Sequence, residues 1–199
     1  MSIAITGGIG AGKSYLCKLL EARGVRVYDS DAAAKRLMRT TRELQQRLRE
    51  VVGTAVFKED GTLDKGVLAQ FLLAGEEQKQ AVNAVVHPAV AADFMASDCN
   101  WLESAILFES GFYKRVSFQG VVCVTAPHEV RLQRIMLRDG ISQVQAQAWI
   151  DRQMPQEEMV RRSNFEVVND GVQSLEAQVD KLLEWSCATL RNKIFLTEE

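Results

Sequence analysis

Residues 7–14 read G-G-I-G-A-G-K-S and contain the pattern G-x-x-x-x-G-K-[ST]. An apolar run at residues 3–6 precedes it. Residues 15–23 follow with a helical pattern closed by Gly24. Strand, glycine loop and helix form the setting in which this pattern binds phosphate. Glycines at 7, 8, 10 and 12 allow turns that a Cβ would forbid, so successive N–H groups can wrap an anion at a helix N-terminus. Lys13 can then reach the β- and γ-phosphates, and the Ser14 hydroxyl can take a place on Mg²⁺. A dinucleotide fold would instead use an acid at the end of the second strand to grip ribose. Asp29 and Asp31 stand near that place, but the G-K-S tail favours a nucleoside triphosphate.

Phosphoryl transfer to a hydroxyl also wants a carboxylate that orients the acceptor and takes its proton. Asp31 is the better candidate. Asp29 divides evenly between capping the next helix and supporting its neighbour. Glu109 is expected to end an apolar strand, serving metal or substrate or standing in solvent. Arg131, Arg134 and Arg138 recur at spacings of three and four, so they share one helix face. They could hold cations over the β- and γ-phosphates, or form a solvated basic face. Their place before a polar, lid-like stretch favours the first reading. His87 precedes Pro88 within a helical region, and a lone histidine is usually structural. No neighbouring histidine or cysteine suggests zinc. His128 opens a helix and receives no role.

The chain has 199 residues, 47% hydrophobic and 25% charged, with a formal net charge of −2. That suits one core with inserted subdomains, and there is no global basic field to attract nucleic acid. The four cysteines at 17, 99, 123 and 187 make no C-x-x-C pair. Cys17 and Cys123 read as core residues, and a reduced compartment fits. The glycine loop begins by residue 7, which leaves no room for a signal peptide, and no apolar run approaches membrane-spanning length. The expected location is cytoplasmic, without membrane association, as a monomer or weak homo-oligomer.

The elements that must position these residues alternate. Strands are expected at 25–28, 103–108, 120–125 and 165–168, besides the first at 3–6. Helices are expected at 32–38, 41–52, 65–73 and 76–96, with Pro88 acceptable in a first turn. Further helices follow at 129–138, as a polar pair within 142–162 broken by Pro155, and at 172–194. Strands alternating with helices imply a parallel α/β sheet, with ligands at the carboxyl ends of its strands. The long helical stretch between the second and third strands exceeds a simple crossover and reads as an inserted substrate subdomain.

With these residues assembled, the chain resembles the dephospho-coenzyme A kinase family from end to end. The opening I-T-G-G-I-G-A-G-K-S, the Asp29-Ser30-Asp31 triplet and the D-G-T-L-D-K stretch at 60–65 with Leu68 all match its motifs. So do Val86-His87-Pro88, the run 105–109 ending at Glu109 with Tyr113-Lys114 beyond, R-I-M-L-R-D at 134–139, Gln153 and residues 163–169. The resemblance implies a three-layer P-loop kinase fold with a five-stranded parallel sheet, a helical acceptor insert and a helical lid. It implies ATP and Mg²⁺, and transfer to the ribose 3′-hydroxyl of dephospho-CoA, the last step of coenzyme A synthesis. Asp31 would be the base. Thr6, Lys13, Arg134 and Arg138 would meet phosphates. Gly8, Ile9, Gly10, Ala11, Gly12, Lys13, Ser14 and Tyr15 would line the nucleotide, with Ser14 on the metal and Asn169 beside adenine. His87, Glu109 and Lys114 would join Asp31 around the acceptor. Departures are Ala105 for proline, Arg131 for a common glutamine, Tyr15 for a frequent threonine, and Ser163-Asn164 for Ala-Asp.

The implied division is a core of residues 1–31, 97–138 and 163–199, an acceptor subdomain of 32–96 and a lid of 139–162. Another small-molecule or nucleotide kinase remains the alternative, and a non-catalytic nucleotide switch is a further one. The guanine motif N-K-x-D that a GTPase switch requires is missing.

Overall fold

The computed structural model describes residues 2–191, and the side chain of Arg191 lies outside that description. The chain divides into two compact units, one of residues 1–28 and 98–199, the other of residues 29–97. The five-stranded sheet has the order β2-β3-β1-β4-β5, with β1 at Ser2–Thr6, β2 at Val27–Asp29, β3 at Trp101–Glu103, β4 at Phe118–Thr125 and β5 at Phe165–Val168. The β1·β3, β1·β4 and β4·β5 ladders are all parallel, as the alternating pattern required.

Side chains alternate across the sheet. Ile3, Ile5, Val122, Val124 and Val167 share one face and one buried cluster. Leu16 and Leu20 of α1 (Lys13–Glu21) and Val179 and Leu182 of α9 (Leu175–Arg191) close over that face. The apolar positions of both helices recur every three or four residues, which gives each a single buried stripe. The expected end of α9 at residue 194 lies outside the described residues. On the opposite face stand Ala4, Thr6, Cys123 and Thr125, all buried. Burial pushes the Cys123 thiol up to about 12, so it is a neutral core group and not a reactive one. Cys17 is half-buried and packs against the α1–α9 side of the sheet.

The third strand differs from expectation. It ends at Glu103, and residues 105–111 form turns. The cause is its partner. β1 pairs Ile5 with Glu103, Ser104 donates to the Ile5 carbonyl, and β1 then stops at Thr6 where the glycine loop begins. The apolar run 105–108 has no neighbouring strand to pair with. Leu107 and Phe108 are buried from a turn instead. Glu109 therefore does not terminate a strand.

Within residues 29–97, α2 (Ser30–Thr40), α3 (Arg42–Val52) and α4 (Lys65–Leu73) pack on the long α5 (Glu76–Ala96). Their apolar stripes include Leu37, Leu44, Leu48, Leu68, Val82, Val86 and Val90. Pro88 sits well inside α5, not in a first turn. Proline removes one backbone donor there and normally breaks a helix. Burial of Val86, Val90 and Ala91 on either side holds the helix through it.

Candidate active site

The glycine loop joins the end of β1 to α1 at the point where the strand order reverses, since β3 and β4 flank β1. Two glycines make it possible. Gly12, the residue before α1, has φ 96°, and a Cβ there would lie 2.0 Å from Asn169 Nδ2. Gly7 has φ 144°, and its Cβ would lie 2.3 Å from the Val124 carbonyl oxygen of the neighbouring strand. No side chain caps the first-turn amides of α1, so they remain available to an anion.

Side chains from three directions grip this loop. The buried Lys13 ammonium donates to the Gly7 carbonyl at 2.7 Å and to that of Gly8 at 3.4 Å, and lies 3.9 Å from Glu103 at the end of β3. From α6 (His128–Asp139), Arg131 Nε donates to the Ile9 carbonyl at 2.9 Å. Arg134 donates to the carbonyls of Gly10 at 3.3 Å and Ala11 at 3.4 Å. Asn169, just beyond β5, donates to the Ala11 carbonyl at 2.9 Å, while its backbone N–H donates to Thr125. The same unit contains α7 (Gln143–Asp151) and α8 (Gln156–Arg161). From the segment between them, the Gln153 carboxamide oxygen accepts from the Ile9 N–H at 2.6 Å.

Thus the structure brings Thr6, Lys13, Arg134 and Asn169 together with residues 8–12 around one loop. Ser14 and Tyr15 open α1 and are exposed. Arg138 is not brought in. It pairs with Asp139 at 2.8 Å and is more than half exposed, because it stands one turn beyond Arg134 near the end of α6. Glu109 accepts from the Met154 N–H at 3.1 Å, so it holds the segment between α7 and α8. Lys114 is exposed in the 3₁₀ helix Phe112–Lys114, its ammonium over the Tyr113 ring. Asp29 is the N-cap of α2, accepting from the Ala32 N–H at 2.8 Å. Asp31 lies exposed in the first turn of that helix, and His87 is half-buried in α5. Sequence reasoning missed Glu103 as a site residue, since the strand was expected to begin there and not to end there. Correct pairing of β3 with β1 was the signal that would have found it.

The residues fit a nucleoside triphosphate. The Thr6 hydroxyl is fully buried at the end of β1 with no hydrogen-bond partner among the described residues. An orphaned hydroxyl of this kind suits a polar ligand or water. The uncapped helix start and three converging cations suit phosphate. No group of three or more acidic, histidine or cysteine side chains that could hold a metal occurs among the described residues. Mg²⁺ in such sites takes few protein ligands besides waters and phosphates, so one hydroxyl suffices.

A family model of dephospho-CoA kinases matches residues 1–174. The chain belongs to the dephospho-CoA kinase family. A relative from Bacteroides fragilis, a dephospho-CoA kinase, is 40% identical over 190 residues, covering 92% of this chain and 91% of its own. The crystal structure of TT1252 from Thermus thermophilus superposes with a TM-score of 0.74 at 34% identity, covering 96% of this chain and 97% of the other. The dephospho-CoA kinase of Campylobacter jejuni shares the fold, with a TM-score of 0.63 at 22% identity over 92% of this chain and 95% of its own. Family membership makes this chain a kinase that phosphorylates dephospho-CoA with ATP.

Proposed function

We propose that transfer runs from a triphosphate held by the residue 7–14 loop to the ribose 3′-hydroxyl of dephospho-CoA, with Asp31 as the base. The observation that carries this reading is the loop itself, gripped by Lys13, Arg131, Arg134 and Asn169 at the carboxyl edge of the sheet. Lys13 and Arg134 compensate charge that develops on the transferring phosphoryl group. The hydroxyl of Ser14 would hold Mg²⁺, which when bound neutralises phosphate charge. Thr6 would offer its hydroxyl to the phosphates from below.

Residues 29–97 are our candidate acceptor unit, and 139–162 our lid. A cavity of about 810 Å³ within the former supports this assignment. It is lined by Lys35, Arg39 and Lys65 together with Met38, Leu68 and Leu72. Basic and apolar groups together suit an acceptor with a pyrophosphate and an apolar arm. Asp31, Lys35 and Met38 recur at spacings of four and three, so the base and the cavity lie along one side of α2. His87, Glu109 and Lys114 would make further acceptor contacts. No described helix is long and apolar enough to cross a membrane, and no disulfide joins the cysteines, which supports a reducing, cytoplasmic setting.

A coupled ATP-turnover assay tests the reading, with dephospho-CoA, adenosine and shikimate as rival acceptors. Turnover should depend on dephospho-CoA. Equal turnover with all three, or with none, refutes it. Hydrogen exchange with dephospho-CoA alone should protect segments within residues 32–96. Protection confined to the glycine loop would place the acceptor elsewhere.

A further inference from the structure

Arg131 is 5% exposed. No carboxylate lies within 4.0 Å of its guanidinium among the described residues. Among the described residues its one hydrogen bond runs from Nε to the Ile9 carbonyl, which leaves both terminal nitrogens without an acceptor there. One terminal nitrogen lies against Gly8, so close that a Cβ on Gly8 would come within 2.4 Å of it. The guanidinium also borders a cavity of about 330 Å³ whose rim includes Asp151, Gln153, Gln156 and Glu157, neither carboxylate being in ion-pair range of Arg131.

A largely buried cation without a protein partner is poorly compensated, and an anion brought to it is favoured. Burial does press the Arg131 pKa downward, and Glu157 opposes this only from beyond ion-pair range. Arginine nonetheless keeps its charge in proteins, so it cannot escape the cost by neutralising. Lys13 and Arg134 converge on the same loop, and Glu103 lies in ion-pair range of Lys13. Three cations therefore border the loop.

We propose that the missing counter-ion of Arg131 is the terminal phosphate of the bound nucleoside triphosphate, which makes Arg131 a further phosphate-contacting residue of the transfer. This rests on the triphosphate reading of the loop. The contact comes through the two terminal nitrogens, while Nε stays on the Ile9 carbonyl. With the Ile9 N–H held by Gln153 and its carbonyl by Arg131, both backbone polar groups of Ile9 in the loop are engaged. The fork is thus aimed before the nucleotide arrives. A diphosphate lacks the partner group and leaves the cation as it is in the free protein.

Calorimetric binding of a non-hydrolysable ATP analogue and of ADP, each with Mg²⁺, tests this on the full chain and on Arg131→Met and Arg131→Lys. Arg131→Met should weaken the triphosphate about ten- to a hundredfold and ADP by less than about twofold, the range of one lost charged hydrogen-bonding group. Its nucleotide-free melting temperature should equal or exceed that of the parent, since a stranded charge is gone. Arg131→Lys keeps the charge without the fork and should retain part of the triphosphate preference. Equal weakening of both nucleotides, no weakening of either, or a lower nucleotide-free melting temperature for Arg131→Met overturns the proposal and makes Arg131 a strut for Ile9. If the unaltered chain binds neither nucleotide, the triphosphate reading falls as well, and that result is visible before any variant is made.

Discussion

Arg134 and Asn169 are hydrogen-bonded across 35 positions of sequence, with the guanidinium donating to Asn169 Oδ1 at 3.1 Å. Asn169 Nδ2 then donates to the Ala11 carbonyl, so α6, the end of β5 and the glycine loop are tied together. The family resemblance implies that Asn169 lies beside adenine; in the structure its carboxamide bonds to the loop and to Arg134.

The two ends of this bridge should respond differently to truncation. Arg134→Ala should lower kcat more than it raises the ATP dissociation constant, because the guanidinium acts on charge that develops during transfer. Asn169→Ala should weaken ATP binding, since it releases the Ala11 carbonyl and leaves the loop less fixed. Steady-state kinetics beside equilibrium binding distinguish them. Equal loss of binding and turnover in Arg134→Ala would count against a transition-state role.

Lys13→Ala should reduce transfer by about a hundredfold or more while the fold persists, judged by an unchanged circular dichroism spectrum. Lys13 is buried, but its visible partners are the loop's own carbonyls and Glu103, and α1 is anchored independently by Leu16 and Leu20. Near-normal turnover would refute the assignment of the loop.

Asp29 and Asp31 should separate cleanly. Asp31→Asn should slow turnover about a hundred- to ten-thousandfold with both substrates still bound, the usual reach of general-base assistance. Asp29→Ala removes the cap on Ala32 and should cost about 1 kcal/mol of stability in a denaturant titration. Asp29→Asn should be milder, as asparagine caps equally well. A greater catalytic loss at Asp29 than at Asp31 would show that the base has been assigned to the wrong residue. Full activity in both would leave transfer to positioning and cations alone, which a loose transition state permits.

Thr6→Val should be neutral or slightly stabilising without nucleotide, because it deletes a buried hydroxyl that has no partner among the described residues. The same change should lower turnover if that hydroxyl serves the phosphates. Thermal unfolding and kcat together decide the matter. A marked drop in melting temperature would mean that Thr6 has a structural partner.

The site was legible in the sequence wherever chemistry depends on local spacing. The glycine loop needs its glycines, lysine and serine within eight residues of one another, and the strand and helix around it show their own periodicities. Residues 65–73 and 76–96 carry helical patterns strong enough to give the boundaries of α4 and α5 directly. The strand at 165–168 was equally plain, being apolar and stopped by Asn169-Asp170-Gly171.

What local spacing cannot carry is the identity of a neighbour. The third strand was expected at 103–108 because that run is apolar, but a strand exists only where another can pair with it, and β1 ends at Thr6. That shift turned Glu103 into a partner of Lys13 and made Glu109 a tie to the segment between α7 and α8. The three arginines of α6 look alike by spacing, and the fold gave them different fates. Arg131 is buried on Ile9, Arg134 bridges the loop to Asn169, and Arg138 turns to Asp139 in solvent. A sequence motif fixes which groups are present. Burial and counter-charge are set by residues distant in sequence, as Ile9 is from Arg131 and Glu103 from Lys13, and only the folded chain brings them into contact.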